Sequence, residues 1–247
     1  MKYSTLKMKN FTLSILTILV TSVTLFAQTS QDAQRSQADE TLVRSVGGVV
    51  PIRPKSVVSG TPYLSDEFRL GRVLFANSQS EVIQMDYNVH ANQLHYMQNG
   101  QLLALNFNQI EGFVFLEPTT QNVIQEFRTG EVDPDLEITQ NTPLKVIYDG
   151  EVKLYEHHKA YINEIKNSYT GINTRKYVNK SYIVFKDLDG EMKRIKLKKK
   201  DFLKKVIDKK YKKRMDKFVK QNKLKMKSEE DAKLFLAQYE TLLEENS

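Results

Sequence analysis

Between Pro62 and about Leu197 the apolar residues either alternate with polar ones or cluster in short runs rich in β-branched and aromatic types, as in "GRVLFAN" and "SEVIQMDYNVH". That pattern predicts β-strands. "QLHYMQNGQLLALNF" places Asn99-Gly100 between two such runs. Asn-Gly is a strong hairpin signal, because both residues accept the positive φ of a type I′ turn. "LKVIYDGEVKLYEHH" repeats the device with Asp149-Gly150, and "SYIVFKDLDGEMKRIKL" with Asp189-Gly190. "IEGFVFLEP" and "IQEFRTG" supply shorter strands, and "EVDPDLEITQNTP" reads as a loop. The sum is about eight to ten short strands in an antiparallel meander, one face of each buried in a curled sheet, sandwich or partly open barrel. No apolar run of parallel-sheet type alternates with helices, which argues against a doubly wound nucleotide-binding fold.

After Lys200 the period changes. Phe202, Leu203, Val206, Ile207, Tyr211, Met215, Phe218 and Val219 recur at spacings of three and four, which predicts one helix with lysines on its other side. Asn222 is its stop. Ser228 followed by Glu229, Glu230 and Asp231 reads as an N-cap and an acidic first turn, and Ala232, Phe235, Leu236, Tyr239, Leu242 and Leu243 form the apolar stripe of a second helix. The fold class is therefore α+β, mainly β: an antiparallel body over residues 61–198 and a basic/acidic helical hairpin over 199–247 packed on it. The "RIKLKKKDFL" junction has no flexible spacer.

The N-terminus has a different character. Lys2, Lys7 and Lys9 precede a stretch from Phe11 to Ala27 in which every residue is apolar or a small Ser or Thr. This is the pattern of a signal peptide, residues 1–27, cleaved after Ala27. The competing reading is an uncleaved anchor helix at the short edge of what spans a bilayer, which the Thr and Ser content weakens. After cleavage no span remains. Residues 28–60, rich in Gln and Ser and punctuated by Gly47, Gly48, Pro51 and Pro54, read as a flexible linker whose one apolar patch is "VGGVVPI". The expected address is the periplasm or the outer-membrane periphery, with secretion as a further possibility. The chain has no cysteine, which removes disulfides, thiolate metal sites and cysteine nucleophiles together.

The net charge of +7 is unevenly placed. From Lys193 to Lys227, 18 Lys or Arg face three acids, Asp201, Asp208 and Asp216, a local net of +15, whereas residues 28–192 carry −6 and 228–247 carry −5. The candidate contact residues are Lys198, Lys199, Lys200, Lys204, Lys205, Lys209, Lys212, Lys213, Lys217 and Lys220. Diffuse lysine charge suits anionic envelope lipid, polysaccharide or an acidic protein; the plainer alternative is a solvated helix face partly neutralised by the acidic final helix. Nucleic acid is disfavoured, because almost all of these cations are Lys rather than the base-reading Arg and the stripe turns Tyr211 and Phe218 inward.

Catalytic signatures are missing. There is no G-x-S-x-G elbow, no phosphate-cradling glycine loop and no H-E-x-x-H, and no cofactor or metal is called for. His90 and His95 flank the turn "ANQ", and adjacent His157 and His158 point to opposite faces of a strand, so the four read as surface or half-buried strand histidines. Asp133 and Asp135 flank Pro134 in a loop and Glu151 and Glu156 lie on a strand, with nothing to set two acids across a cleft. Tyr63, Leu64 and Phe68 read as ordinary core where the linker enters the first strand.

The entry "GTPYLSDEF", the first strand "GRVLF", the tyrosine strand "MDYNVHANQLHY" and the final "KKDFLKKVIDKKYKKRMDKFVKQNKLKMKSEEDAKLFLAQYE" together resemble a group of uncharacterised exported proteins of Bacteroidota, over residues from about 60 to 240. A leader ending in "FAQ" is similar to many exported proteins of that phylum. The resemblance implies export and a β-rich body with a basic helical region; it carries no activity, cofactor or catalytic residue.

The expected function is an exported, non-enzymatic binding or scaffolding module of the envelope. Its rival is an enzyme acting on an envelope glycan or small substrate through acids or histidines gathered from separate strands. A third reading is an adaptor docked through a β edge or the "VGGVVPI" segment.

Overall fold

The computed structural model describes residues 50–51, 58–166 and 173–245. The expected signal peptide and most of the expected linker lie outside the described residues. The fold is mainly β: one antiparallel, curled and unclosed sheet with a helical region at its C-terminal end. Its strands are β1 (Val50–Pro51), β2 (Arg69–Phe75), β3 (Ser78–Gln79), β4 (Ile83–Asn88), β5 (Gln93–Gln98), β6 (Gln101–Asn106), β7 (Gly112–Leu116), β8 (Val123–Arg128), β9 (Leu144–Asp149), β10 (Lys153–Lys166), β11 (Asn173–Lys186) and β12 (Met192–Ile195). Their order is β1-β6-β5-β4-β2-β7-β8-β9-β10-β11-β12, with β3 pairing β2 off this path.

The curl follows from chain length. Strands β6 and β7 stand four places apart in the sheet, roughly 19 Å on a flat surface, yet only residues 107–111 connect them. Five residues barely reach that far when fully extended, and here three of them, Phe107–Gln109, form a 3₁₀ turn. The sheet must bend for the ends to meet. Phe107 fills the bend, 5.4 Å from the Tyr87 ring and 5.9 Å from that of Phe113. Phe113 in turn stacks on Phe127 at 4.6 Å with nearly parallel rings. Tyr87, Phe113, Phe115 and Phe127 are fully or almost fully buried, and this aromatic group is the core of the body.

Strand number and length exceed the sequence reading. Twelve strands form among the described residues, and β10 and β11 run for 14 residues each, paired from Lys153↔Lys186 to Lys166↔Asn173. The inner ends of this ribbon are apolar and buried, with Leu154 and Phe185 paired. Its outer part is mostly polar on both faces, so no alternation marks it. Of the three turn signals, Asn99-Gly100 makes the expected two-residue connection, with Gln98↔Gln101 paired and φ of 50° and 74°. The other two are longer loops, of three residues after Asp149 and five after Lys186.

Within the N-terminal segment, Val50 and Pro51 pair with Ala104 and Leu103, and the Ser59 N–H donates to the Arg175 carbonyl while its own carbonyl accepts from Tyr177 N–H. Both described parts of the segment are thus attached to the sheet.

The helical region packs on β9 to β12. Phe202, Val206, Ile207, Tyr211, Met215 and Val219 join Ala232, Phe235, Leu236, Tyr239 and Leu242 over Leu154, Phe185 and Ile195 in one buried cluster. The single helix expected across Phe202–Val219 is instead broken. A turn at Lys199–Asp201 continues as a π turn over Phe202–Val206, Ile207 is extended, and a 3₁₀ turn at Lys209–Tyr211 leads into α1 (Lys212–Gln221). Asp208 restarts the helix, its carboxylate accepting from the Lys210 N–H at 3.1 Å, an N-cap in the middle of the stripe. Asn222 ends α1 as expected. α2 (Glu229–Glu244) begins at Ser228, whose Oγ accepts from the Asp231 N–H at 3.2 Å.

Candidate functional site

The apolar stripe of the helical region is buried, so its lysines are forced outward. Tyr211 is buried against Tyr239 and Phe218 packs on the same cluster, which leaves neither ring as a platform for a base. Of the ten candidate lysines, Lys199 is half-buried and the other nine are exposed. Lys213, Lys217 and Lys220 stand at i, i+4 and i+7 of α1 and form one row.

The carboxylates divide them. Asp216 accepts from Lys199 and from Lys220, each at 2.7 Å, and these two contacts hold its carboxyl down at about 2. Lys205 lies 3.5 Å from Asp201. Lys198, Lys200, Lys204, Lys209, Lys212, Lys213 and Lys217 are ion-paired to no described carboxylate. The acidic second helix neutralises little of the first: the described ion pair to α1 joins Arg214 to Glu245, the C-cap just past the end of α2, at 2.7 Å. Of the acids within α2, Asp231 accepts from the Met226 N–H in the connection between the helices, and two turn to the sheet. Glu229 accepts from Lys145 at 2.6 Å, and Glu240 accepts from the Tyr148 hydroxyl at 2.6 Å and the Val152 N–H at 2.9 Å.

Lys145, which no sequence motif singles out, joins strands and helix. Its ammonium also reaches Glu156 at 3.3 Å, and Glu156 lies 3.5 Å from His158 Nε2. Burial alone would push the Lys145 ammonium down, but the two carboxylates raise it above the usual lysine range. Only the tertiary fold brings β9, β10 and the start of α2 together, so spacing along the chain carries no trace of this cluster.

The histidines do not converge. His90 Nδ1 lies 3.3 Å from the Ala160 carbonyl and its ring against Tyr177. His95 Nδ1 lies 2.9 Å from the Tyr63 hydroxyl, under the entry segment. His95 and His157 are buried rather than surface or half-buried, and burial pushes each ring down to about 4. Asp133 accepts from Leu136 N–H as the cap of a 3₁₀ turn at Pro134–Leu136, and Glu151 sits in the loop before β10 rather than on a strand. Among the described residues no group of three His, Asp or Glu side chains is placed to hold a metal ion, and no helix is long and apolar enough to cross a membrane.

A second feature lies at one end of the sheet, where the β6–β7 and β8–β9 connections meet in an open groove of about 350 Å³. Comparison of the chain with protein families, with curated proteins and with solved structures finds no match.

Proposed function

We propose that the protein is an exported, non-enzymatic binding or scaffolding module of the cell envelope, and that the lysine surface of residues 198–220 is its contact with an anionic partner, in the first place anionic lipid headgroups. The observation that carries this reading is the set of seven exposed lysines without a described carboxylate partner, mounted on a helical region whose opposite side is fixed in the core. A face of this kind keeps its charge available. Each lysine near an anionic membrane contributes about 1 kcal/mol of attraction, so several acting together give stable but salt-sensitive binding. Export rests on the leader pattern of residues 1–27 and on the resemblance to exported Bacteroidota proteins.

The test is co-sedimentation with anionic and with neutral vesicles at low and near-physiological salt. Binding to anionic vesicles alone, weakened by salt and removed by changing Lys204, Lys209, Lys212, Lys213 and Lys217 to Gln without loss of fold, is the expected result. Equal binding by that variant, or none by the unaltered protein, sinks the proposal.

A further inference from the structure

The groove at the β6–β7 end has no part in the lysine surface, and its chemistry is different. Its floor is apolar, made by the buried Phe107 and Ile110. Its rim carries three side-chain amides, Asn108, Gln140 and Asn141, all exposed. None of the three amides hydrogen-bonds to a described residue. The backbone beneath them is fixed: Gly130 N–H donates to the Gln140 carbonyl at 2.9 Å, Asn92 Nδ2 donates to the Asn141 carbonyl at 3.0 Å, and Thr129 Oγ1 donates to the Ile110 carbonyl at 3.0 Å. Gly130 makes the turn out of β8 with a φ of +103°. Gly112, the first residue of β7, lets β7 and β8 close up, since a Cβ there would lie 2.0 Å from the Phe127 carbonyl oxygen.

Free amides on a fixed frame offer both donors and acceptors in planar pairs, the requirement for hydroxyl groups, which also donate and accept. The remaining charges, Glu111 and Arg128, are of opposite sign, and Arg128 is already engaged by Glu126, so the groove has no net attraction for an anion. No exposed ring lines it, which removes the platform a nucleobase needs. A volume of about 350 Å³ is at the small end for ligand sites, which run from roughly 300 to 1,000 Å³. We infer that this groove is a binding site for a small neutral polyhydroxylated ligand, a single sugar residue or the end of a glycan, held by Asn108, Gln140 and Asn141 over Phe107 and Ile110.

The test is NMR titration of the isotopically labelled full chain with D-glucose, D-galactose, D-mannose and N-acetyl-D-glucosamine, with inorganic phosphate as a charged comparison. Dissociation constants on the order of 1–10 mM are expected for a single sugar in an open site. At least one sugar should shift the amides of residues 107–111, 128–130 and 140–141 saturably while those of Gln221 and Asn222 stay unmoved. The variant Asn108→Ala/Gln140→Ala/Asn141→Ala should lose about tenfold in affinity, the equivalent of a single net hydrogen bond, at an unchanged thermal midpoint. If the triple variant fails to fold, Gln140→Glu alone serves. Absence of any shift up to about 50 mM, unchanged affinity in the variants, or a stronger response to phosphate than to every sugar would overturn the inference.

Discussion

The Glu240 carboxylate of α2 accepts a hydrogen bond from the Tyr148 hydroxyl of β9 at 2.6 Å, and it stands in the space that a Cβ on Gly150 would occupy. That Cβ would lie 2.3 Å from Glu240 Oε1. Gly150→Ala must therefore displace the carboxylate from both Tyr148 and the Val152 N–H. Glu240→Ala removes the acceptor outright. Each should destabilise the fold by about 1–3 kcal/mol, and the double variant should cost little more than either alone. Urea unfolding of the set measures this; additive losses would show that the glycine and the glutamate act independently.

Lys145 gives a second test. Its removal leaves Glu156 and Glu229 without their shared cation in a largely buried setting. Lys145→Met should cost about 3–5 kcal/mol, and replacing Glu156 and Glu229 by Gln in the same chain should recover part of that loss in the unfolding midpoint.

The buried histidines set the pH dependence. His95 and His157 titrate near 4 in the fold, below the ordinary value of 6.5. The unfolded chain therefore binds more protons between those limits, and stability is retained above pH 6.5 and falls as pH drops toward 4. A loss of a few kcal/mol is expected across that window, at about 1.4 kcal/mol per pH unit for each ring at most. Thermal midpoints at pH 7 and pH 5 should separate clearly in the unaltered protein and less in His157→Gln.

Asp216 bears on the lysine surface. Asp216→Asn releases Lys199 and Lys220 together and should strengthen binding to anionic vesicles about fivefold, from about 1 kcal/mol of added attraction. Unchanged vesicle binding would remove this carboxylate from any account of the contact.

Phe127→Ala should cost about 3–5 kcal/mol, because the ring is fully buried and stacked on Phe113. A loss under about 1 kcal/mol in denaturant unfolding would move the weight of the core elsewhere.

Local signals read well from the sequence and distant ones did not. Asn99-Gly100 is a turn for reasons contained in those two residues, and Ser228 caps α2 within its own first turn. Gly150 looked like the same kind of turn glycine, yet its reason lies in Glu240, far along the chain. The break at Ile207–Asp208 is hidden because Phe202 to Val219 keep an unbroken three-and-four spacing on both sides of it. The outer β10–β11 ribbon carries charge on both faces, so it offers no period to detect. The ten lysines were legible as a charged stretch, and Lys205 with Asp201 and Lys220 with Asp216 stand at i,i+4 spacing, but the pairing of Lys199 with Asp216 appears only with the side chains in place. The amide groove draws on two separate connections, and no spacing announces it.

Strand β2 has neighbours on both sides, β4 from the chain that follows it directly and β7 from beyond the whole β4–β6 excursion. During synthesis from the N-terminus, the side of β2 that will receive β7 stays uncovered while about 40 more residues are made. Until Gly112–Leu116 arrive, Gly71–Leu74 present open backbone groups to any passing strand. A chain held unfolded until both halves are available avoids that interval, and this makes the order of strands a reason for late folding as well as a description of the finished sheet.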